Sequence, residues 1–139
     1  MIVVDASVLA NALTDDGRVG RAGRAELGRD THWAAPEHCA FETFSAVRGR
    51  YRGRRISRSR AEDALRALAS AAVDRVPTIA LLPRMWELRE NVNGYLSAYV
   101  AAYVAAAEML DCPLVTADLR LAAAPGLRCE VRVALPPEH

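Results

Sequence analysis

Met1-Ile2-Val3-Val4-Asp5-Ala6-Ser7-Val8-Leu9 opens the chain, and its reading decides the fold. Ile2, Val3 and Val4 form an unbroken β-branched run, the pattern of a strand buried on both faces. Asp5 ends that run. Ser7 is a capping type, and Val8, Leu9, Ala12 and Leu13 then recur at helical spacing. A buried strand that passes straight into a helix, with a carboxylate at the junction, is the start of a βα unit. The same pattern returns near the other end, where Pro113-Leu114-Val115-Thr116-Ala117-Asp118 reads as a strand followed by a second carboxylate.

The residues between continue the alternation. Asp15-Asp16-Gly17 breaks the first helix, and Gly20 to Leu27 reads as a short Arg-rich helix. Trp33-Ala34-Ala35 reads as a strand stopped by Pro36. A helix from Glu37 to Tyr51 is expected to bury Phe41, Phe44 and Val47 on one face. Ser57 to Val73 is amphipathic, with Ala61, Ala64, Leu65, Leu68 and Ala72 as its stripe. Thr78 to Leu81 predicts a third strand, and Pro83 the start of a helix as far as Asn91. Asn93-Gly94 reads as a turn. Leu96 to Leu110 is apolar nearly all round, which predicts a helix buried on several sides. Val131-Arg132-Val133 reads as a weak last strand. Together these elements predict an α/β fold with a mostly parallel sheet covered on both faces. The 139 residues, with no repeat or linker, predict one domain spanning 1–139.

Composition narrows the setting. Hydrophobic residues are 52% and charged residues 25%, which excludes a disordered chain. The formal net charge of +1 neither demands nor forbids a polyanionic partner. All 18 basic residues are Arg, a bias that reads as GC-rich coding. Cys39, Cys112 and Cys129 show no CxxC spacing and read as reduced, packed thiols of a cytoplasmic protein. The N-terminus lacks the pattern of a signal peptide, and the apolar stretch Tyr95 to Leu110 contains Glu108 and is short for a membrane span.

Common catalytic signatures (GxSxG, Walker A, GxGxxG, HExxH) are missing. His32, His38 and His139 have no zinc-like spacing and read as solvated residues. The chemistry that remains is acidic. Asp5 and Asp118 each follow a strand, and open parallel sheets build their sites outside the carboxyl ends of strands. Glu42, flanked by Phe41 and Phe44, is expected to point inward beside them. Gathered carboxylates repel unless a hard cation such as Mg²⁺ neutralises them. Such a cation can assist phosphodiester hydrolysis. A plainer reading stays open, with Asp5 and Asp118 as cap or turn residues and Glu42 as an exposed helix residue. Arg48, Arg50, Arg52, Arg54, Arg55, Arg58 and Arg60 fall within 13 positions, with Tyr51 among them. They suit phosphate contacts and base stacking, or equally a solvated helix end.

In combination these segments resemble the PIN-domain nucleases. Ile2-Val3-Val4-Asp5-Ala6-Ser7-Val8-Leu9 looks like their opening, and Pro36-Glu37-His38-Cys39-Ala40-Phe41-Glu42 is similar to their second motif. The stretch from Leu96 to Glu108 resembles the third, and that from Pro113 to Ala122 the fourth. At this length the resemblance points to the VapC group, the toxin halves of VapBC type II toxin–antitoxin pairs. It implies a three-layer α/β/α fold, a homodimer, and Mg²⁺- or Mn²⁺-dependent endoribonuclease activity. It also implies a VapB-type antitoxin partner, through which the complex would reach DNA. Carried over by position, Asp5, Glu42 and Asp118 are the acidic metal-site and catalytic residues, with Thr116 in support. Arg48, Arg50, Arg52, Arg54, Arg55 and Tyr51 would meet the RNA.

One position departs from the resemblance. The third motif usually reads Tyr-Asp-Ala, and here it reads Tyr99-Val100-Ala101. Valine cannot ligate a cation, so water would have to fill part of the shell. Glu108 lies about 12 Å further along the helix, too far to substitute. Val100 is either native to a degenerate site or an inactivating substitution. The resemblance therefore implies an impaired nuclease. The competing reading is a non-catalytic module that holds an antitoxin in a DNA-binding autoregulatory complex.

Overall fold

The computed structural model describes residues 1–89 and 97–138. Its elements, in chain order, are β1 (Ile2–Val4), α1 (Ala6–Thr14), α2 (Arg18–Leu27), β2 (Trp33–Pro36), α3 (Cys39–Arg52) and α4 (Arg58–Ser70). They continue with β3 (Val73–Val76), α5 (Thr78–Glu87), α6 (Ala98–Met109), β4 (Leu114–Thr116), α7 (Leu119–Ala122) and β5 (Val131–Val133). The five strands form one parallel sheet in the order β3-β2-β1-β4-β5. This is the three-layer α/β/α arrangement that the alternation predicts. The expected turn at Asn93-Gly94 and the expected helix start at Leu96 lie outside the described residues.

Burial explains why the central strands are so short and so apolar. Ile2, Val3, Val4, Leu114 and Val115 are fully buried. α6 packs on β1, β2 and β4, and every residue from Ala101 to Ala107 is buried. Its alanines let the helix backbone lie close to the sheet. On the other flank α1 packs on α2, α3 and α4, with Val47, Ala61 and Ala64 forming a second small cluster.

Four local readings are corrected by tertiary pattern. The third strand is Val73–Val76, and Thr78 to Leu81 begins α5. Leu81, Met85 and Leu88 recur at helical spacing and pack on the core, which overrides the β preference of Thr78 and Ile79. β3 carries Asp74 and Arg75 exposed, as suits an edge strand. Pro83 does not start a helix but sits inside α5, on its exposed side. There it removes only the bond its N–H would have made to Ile79. On α3 the buried positions are Cys39, Thr43 and Val47, spaced four apart, while Phe41 and Phe44 are exposed. Thr43 is tolerated inside because its hydroxyl donates to the Cys39 carbonyl at 2.8 Å. On α4 the stripe stops short, with Ala72 exposed beyond the helix end at Ser70.

Glu108 is committed to the scaffold. Arg84 holds it through two bonds, Nε to Oε2 at 2.6 Å and Nη2 to Oε1 at 3.1 Å, and the Arg128 N–H donates to Oε1 at 2.7 Å. Burial alone would raise the Glu108 carboxyl, but these donors hold it below the ordinary range. A depressed carboxyl contributes stability above its unfolded value of about 4.5 and loses that contribution as pH falls through the folded value. Glu108→Gln is therefore expected to lower Tm at pH 7 and to flatten the fall in Tm between pH 5 and 3, as read by thermal unfolding across pH.

Candidate active site at the carboxyl edge of the sheet

The strand order reverses direction between β1 and β4, so the chain leaves these two neighbours toward opposite sides and a crevice opens outside their carboxyl ends. Val4 is in register with Val115, and the Asp5 N–H donates to the Val115 carbonyl at 2.9 Å. Asp5 therefore comes to rest beside Thr116. The Thr116 hydroxyl donates to Asp5 Oδ2 at 2.7 Å and accepts the Asp118 N–H at 3.1 Å. One buried hydroxyl thus joins the residues that end both strands. Asp5, and not Ser7, is the N-cap of α1, its Oδ1 accepting the Ser7 N–H at 3.4 Å. Ser7 instead accepts the Ala117 N–H at 3.1 Å, which ties α1 to the turn after β4. Asp118 caps α7 through Arg120 N at 3.0 Å and pairs with the Arg120 side chain at 3.3 Å.

Glu42 reaches this edge from the first turn of α3. It is half-buried, and the Tyr103 hydroxyl of α6 donates to its Oε1 at 2.7 Å. Burial first, then the neighbouring Cys39 and Glu42, push the Tyr103 phenol far above its ordinary range, so it remains a fixed donor. Cys39 lies among these groups. Burial pushes its thiol up to about 11, and the charges of Asp5 and Glu42 add to the effect. The thiol is neutral at pH 7 and packs, donating to the Val4 carbonyl at 3.7 Å.

Val100 is half-buried and packs on the core one turn before Tyr103, on the same helix face. Its N–H meets the Ser97 cap at 3.3 Å. A carboxylate at this position would join the Glu42 side of the crevice, and valine offers only methyl groups. Among the described residues no three His, Cys, Asp or Glu side chains form a ready-made metal cage. The donor chemistry nonetheless fits a hard cation, because Asp5, Asp118 and Glu42 offer only oxygens, and Mg²⁺ binds through one or two carboxylates with water completing its shell.

A family model for the PIN domain matches residues 2–127. The chain belongs to the PIN-domain family. It is 39% identical over 133 residues to the VapC ribonuclease Mb0985 of Mycobacterium bovis, covering 96% of this chain and 98% of that one. It is equally 39% identical over 132 residues to ribonuclease VapC1 of Mycobacterium tuberculosis, covering 94% and 96%. The crystal structure of Mycobacterium tuberculosis VapC20, described as a sarcin-ricin loop cleaving toxin, superposes with a TM-score of 0.68 at 19% identity. It covers 99% of this chain and 100% of that one, and bears out the fold.

The rest of this PIN domain's expected site divides. The Arg run is not beside the acids. α3 descends from Glu42, so Arg48 lies about 9 Å and Arg52 about 15 Å away by helical rise. Tyr51, Arg52, Arg54 and Arg55 are exposed, and Arg48 lies over the Phe44 ring at 5.9 Å. Arg50 turns inward and donates to the Ala10 carbonyl and Asn11 Oδ1, each at 2.8 Å, and to the Thr14 hydroxyl. It pins α3 to α1. His38 is not a solvated residue. It is half-buried against Tyr99 and Tyr103, with Nε2 at 3.2 Å from Glu42 Oε1. His32 is exposed and pairs with Asp74, and His139 lies outside the described residues.

Tyr103, His38 and Arg120 were not among the residues read as functional. Tyr103 had a signal, because a tyrosine within an alanine-rich buried helix needs a partner for its hydroxyl. Thr116→Val keeps the side-chain volume and strands both Asp5 Oδ2 and the Asp118 N–H. It is expected to lower the unfolding free energy by about 1–3 kcal/mol in urea denaturation, with Thr116→Ser recovering most of the loss.

Proposed function

We propose that this protein is the toxin half of a type II toxin–antitoxin pair, a metal-dependent endoribonuclease weakened by Val100. The observation that carries the reading is the Asp5–Thr116–Asp118 junction at the switch point, in a chain 39% identical to proteins named VapC ribonucleases. Asp5 and Asp118, with Glu42 directly or through water, would hold Mg²⁺ or Mn²⁺. When bound, such a cation activates water and offsets the charge that builds on a phosphodiester during hydrolysis.

The chain's own residues do the rest. Thr116 fixes the rotamer of Asp5, and Tyr103 fixes Glu42. Arg48, Arg52 and Arg54, with Tyr51, guide the RNA backbone toward the crevice. Arg50 supports that surface from within. A VapB-type antitoxin would cover the site, with DNA reached only through it. A homodimer and a cytoplasmic setting complete the reading. Among the described residues, no helix is long and apolar enough to cross a membrane.

Val100 favours a second reading, in which the chain is a non-catalytic module of the antitoxin complex. Cleavage of total RNA by this chain and by Val100→Asp, with and without Mg²⁺, separates the two. Val100→Asp is expected to bind Mn²⁺ more tightly and to cut faster by at least about tenfold, roughly 1.4 kcal/mol. Equal metal binding and equal cutting in both chains would leave the module. Replacing Arg48, Arg52 and Arg54 together by Ala is expected to weaken RNA binding and to reduce the slope of log affinity against log salt by about 2–3. An unchanged slope would remove these residues from the interface.

A further inference from the structure

At the end of α1 and α3 remote from the carboxylates, a polar cavity of about 650 Å³ opens between the last turn of α1, the turn after α3 and the first turn of α4. Arg50, Arg55 and Arg60 line it, together with the Ser57 and Ser59 hydroxyls. Asp15, Asp16 and Asp63 line it too, so the allocation of each charge matters.

The three carboxylates are engaged. Asp16 pairs with Arg60 at 2.7 Å, and Asp63 pairs with Arg66 of its own helix. Asp15 Oδ1 accepts the Gly17 and Gly20 N–H groups at 2.8 and 3.0 Å and so holds the start of α2. Two guanidiniums, Arg50 and Arg55, are left against the one charge that Asp15 still carries toward Arg50. Arg50 donates only to neutral acceptors, and the Arg55 side chain makes no hydrogen bond or ion pair among the described residues. Burial first, then the charge of Arg55, push the Arg50 guanidinium below its ordinary range, with Asp15 only partly opposing this. Two like charges are thus crowded at one cavity wall. Arg60 adds an Nε shut off from solvent with no acceptor. The turn is built to return the chain here. Arg54 adopts a left-handed φ of 60°, and the Arg55 N–H reaches back to the Arg50 carbonyl at 2.9 Å.

We propose that this cavity seats a phosphate group. Arg50 supplies a fixed charge, Arg55 closes on the ligand, and the Ser57 and Ser59 hydroxyls complete the donor set. A phosphodiester carries one negative charge, which matches the one positive charge by which Arg50 and Arg55 exceed Asp15. Thr14 lies about 13 Å along α1 from Asp5 by helical rise, so a phosphate here is not the one at the carboxylate crevice. In RNA it would belong to a nucleotide remote from the bond being cut. That source rests on the nuclease reading, but the seat itself does not.

Inorganic phosphate, titrated at constant ionic strength into the full chain, is the first probe. It is expected to raise Tm, with Arg55→Ala weakening the apparent affinity by at least about tenfold. Arg75→Ala, an exposed arginine on β3, should leave it unchanged. No rise in Tm for the parent chain, or equal affinity in Arg55→Ala, overturns the seat whatever the outcome of RNA cleavage. A short oligoribonucleotide is the second probe. If its affinity falls in Arg55→Ala, with a salt slope shallower by about 1, the seat takes an RNA backbone phosphate. If it binds both chains alike while phosphate binding stays Arg55-dependent, the seat takes a free phosphate ligand. Should Val100→Asp cut no RNA while phosphate still binds through Arg55, the nuclease reading falls and the seat stands.

Discussion

The bond from the Thr116 hydroxyl to Asp5 sits where the sheet reverses its winding, and the geometry of the crevice depends on it. Two parallel strands side by side leave their terminal residues close together, but they do not fix which way the side chains turn. Thr116 does this with one group, giving its proton to Asp5 and taking one from the Asp118 backbone. Because Thr116 is fully buried, no water competes for either bond. Ser7 makes a parallel link from α1 to Ala117, so strand ends, helix start and loop form one hydrogen-bonded unit.

The crevice is organised by donors placed against acids. Asp5 faces a hydroxyl, Glu42 a phenol and Asp118 a guanidinium. Two of these three partners are neutral. A neutral donor orients a carboxylate without cancelling its charge, as at Asp5, whereas Glu42 also has His38 Nε2 at 3.2 Å. Glu108 makes the contrast. It is a buried carboxylate matched by Arg84, and its charge is spent on holding α5 to α6. Acids of one type take opposite roles according to whether their partner carries charge.

How much of this was legible in the sequence follows the range of the interactions. β1, β4 and their terminal aspartates were legible because a buried strand and the residue ending it are contiguous in the chain. β2 and α6 were legible for the same reason, through uninterrupted apolar runs. Thr78 to Leu81 was misread because strand preference is local, whereas the partners of Leu81 and Leu88 belong to distant elements. Phe41 and Phe44 suggested the wrong face of α3, since the buried face there is filled by Cys39, Thr43 and Val47. Arg50 was indistinguishable from its exposed neighbours until α1 supplied its three acceptors. Glu42 and the arginines were separated only when α3 was seen to descend away from the sheet edge.

Val100 gains its meaning from the same packing. It occupies the third position after the Ser97 cap, and the first turn of α6 holds no acidic residue. An acid at that position is favoured by the helix dipole, worth about 0.3–1 kcal/mol, so the helix itself gains nothing from valine. What valine offers is different. Val100 packs on the core, and it brings no charge to the face of α6 whose Tyr103 donates to Glu42. Without a cation, like charges in a half-buried cleft oppose folding. Valine at this position therefore adds packing on the core without adding like charge on the side of Glu42.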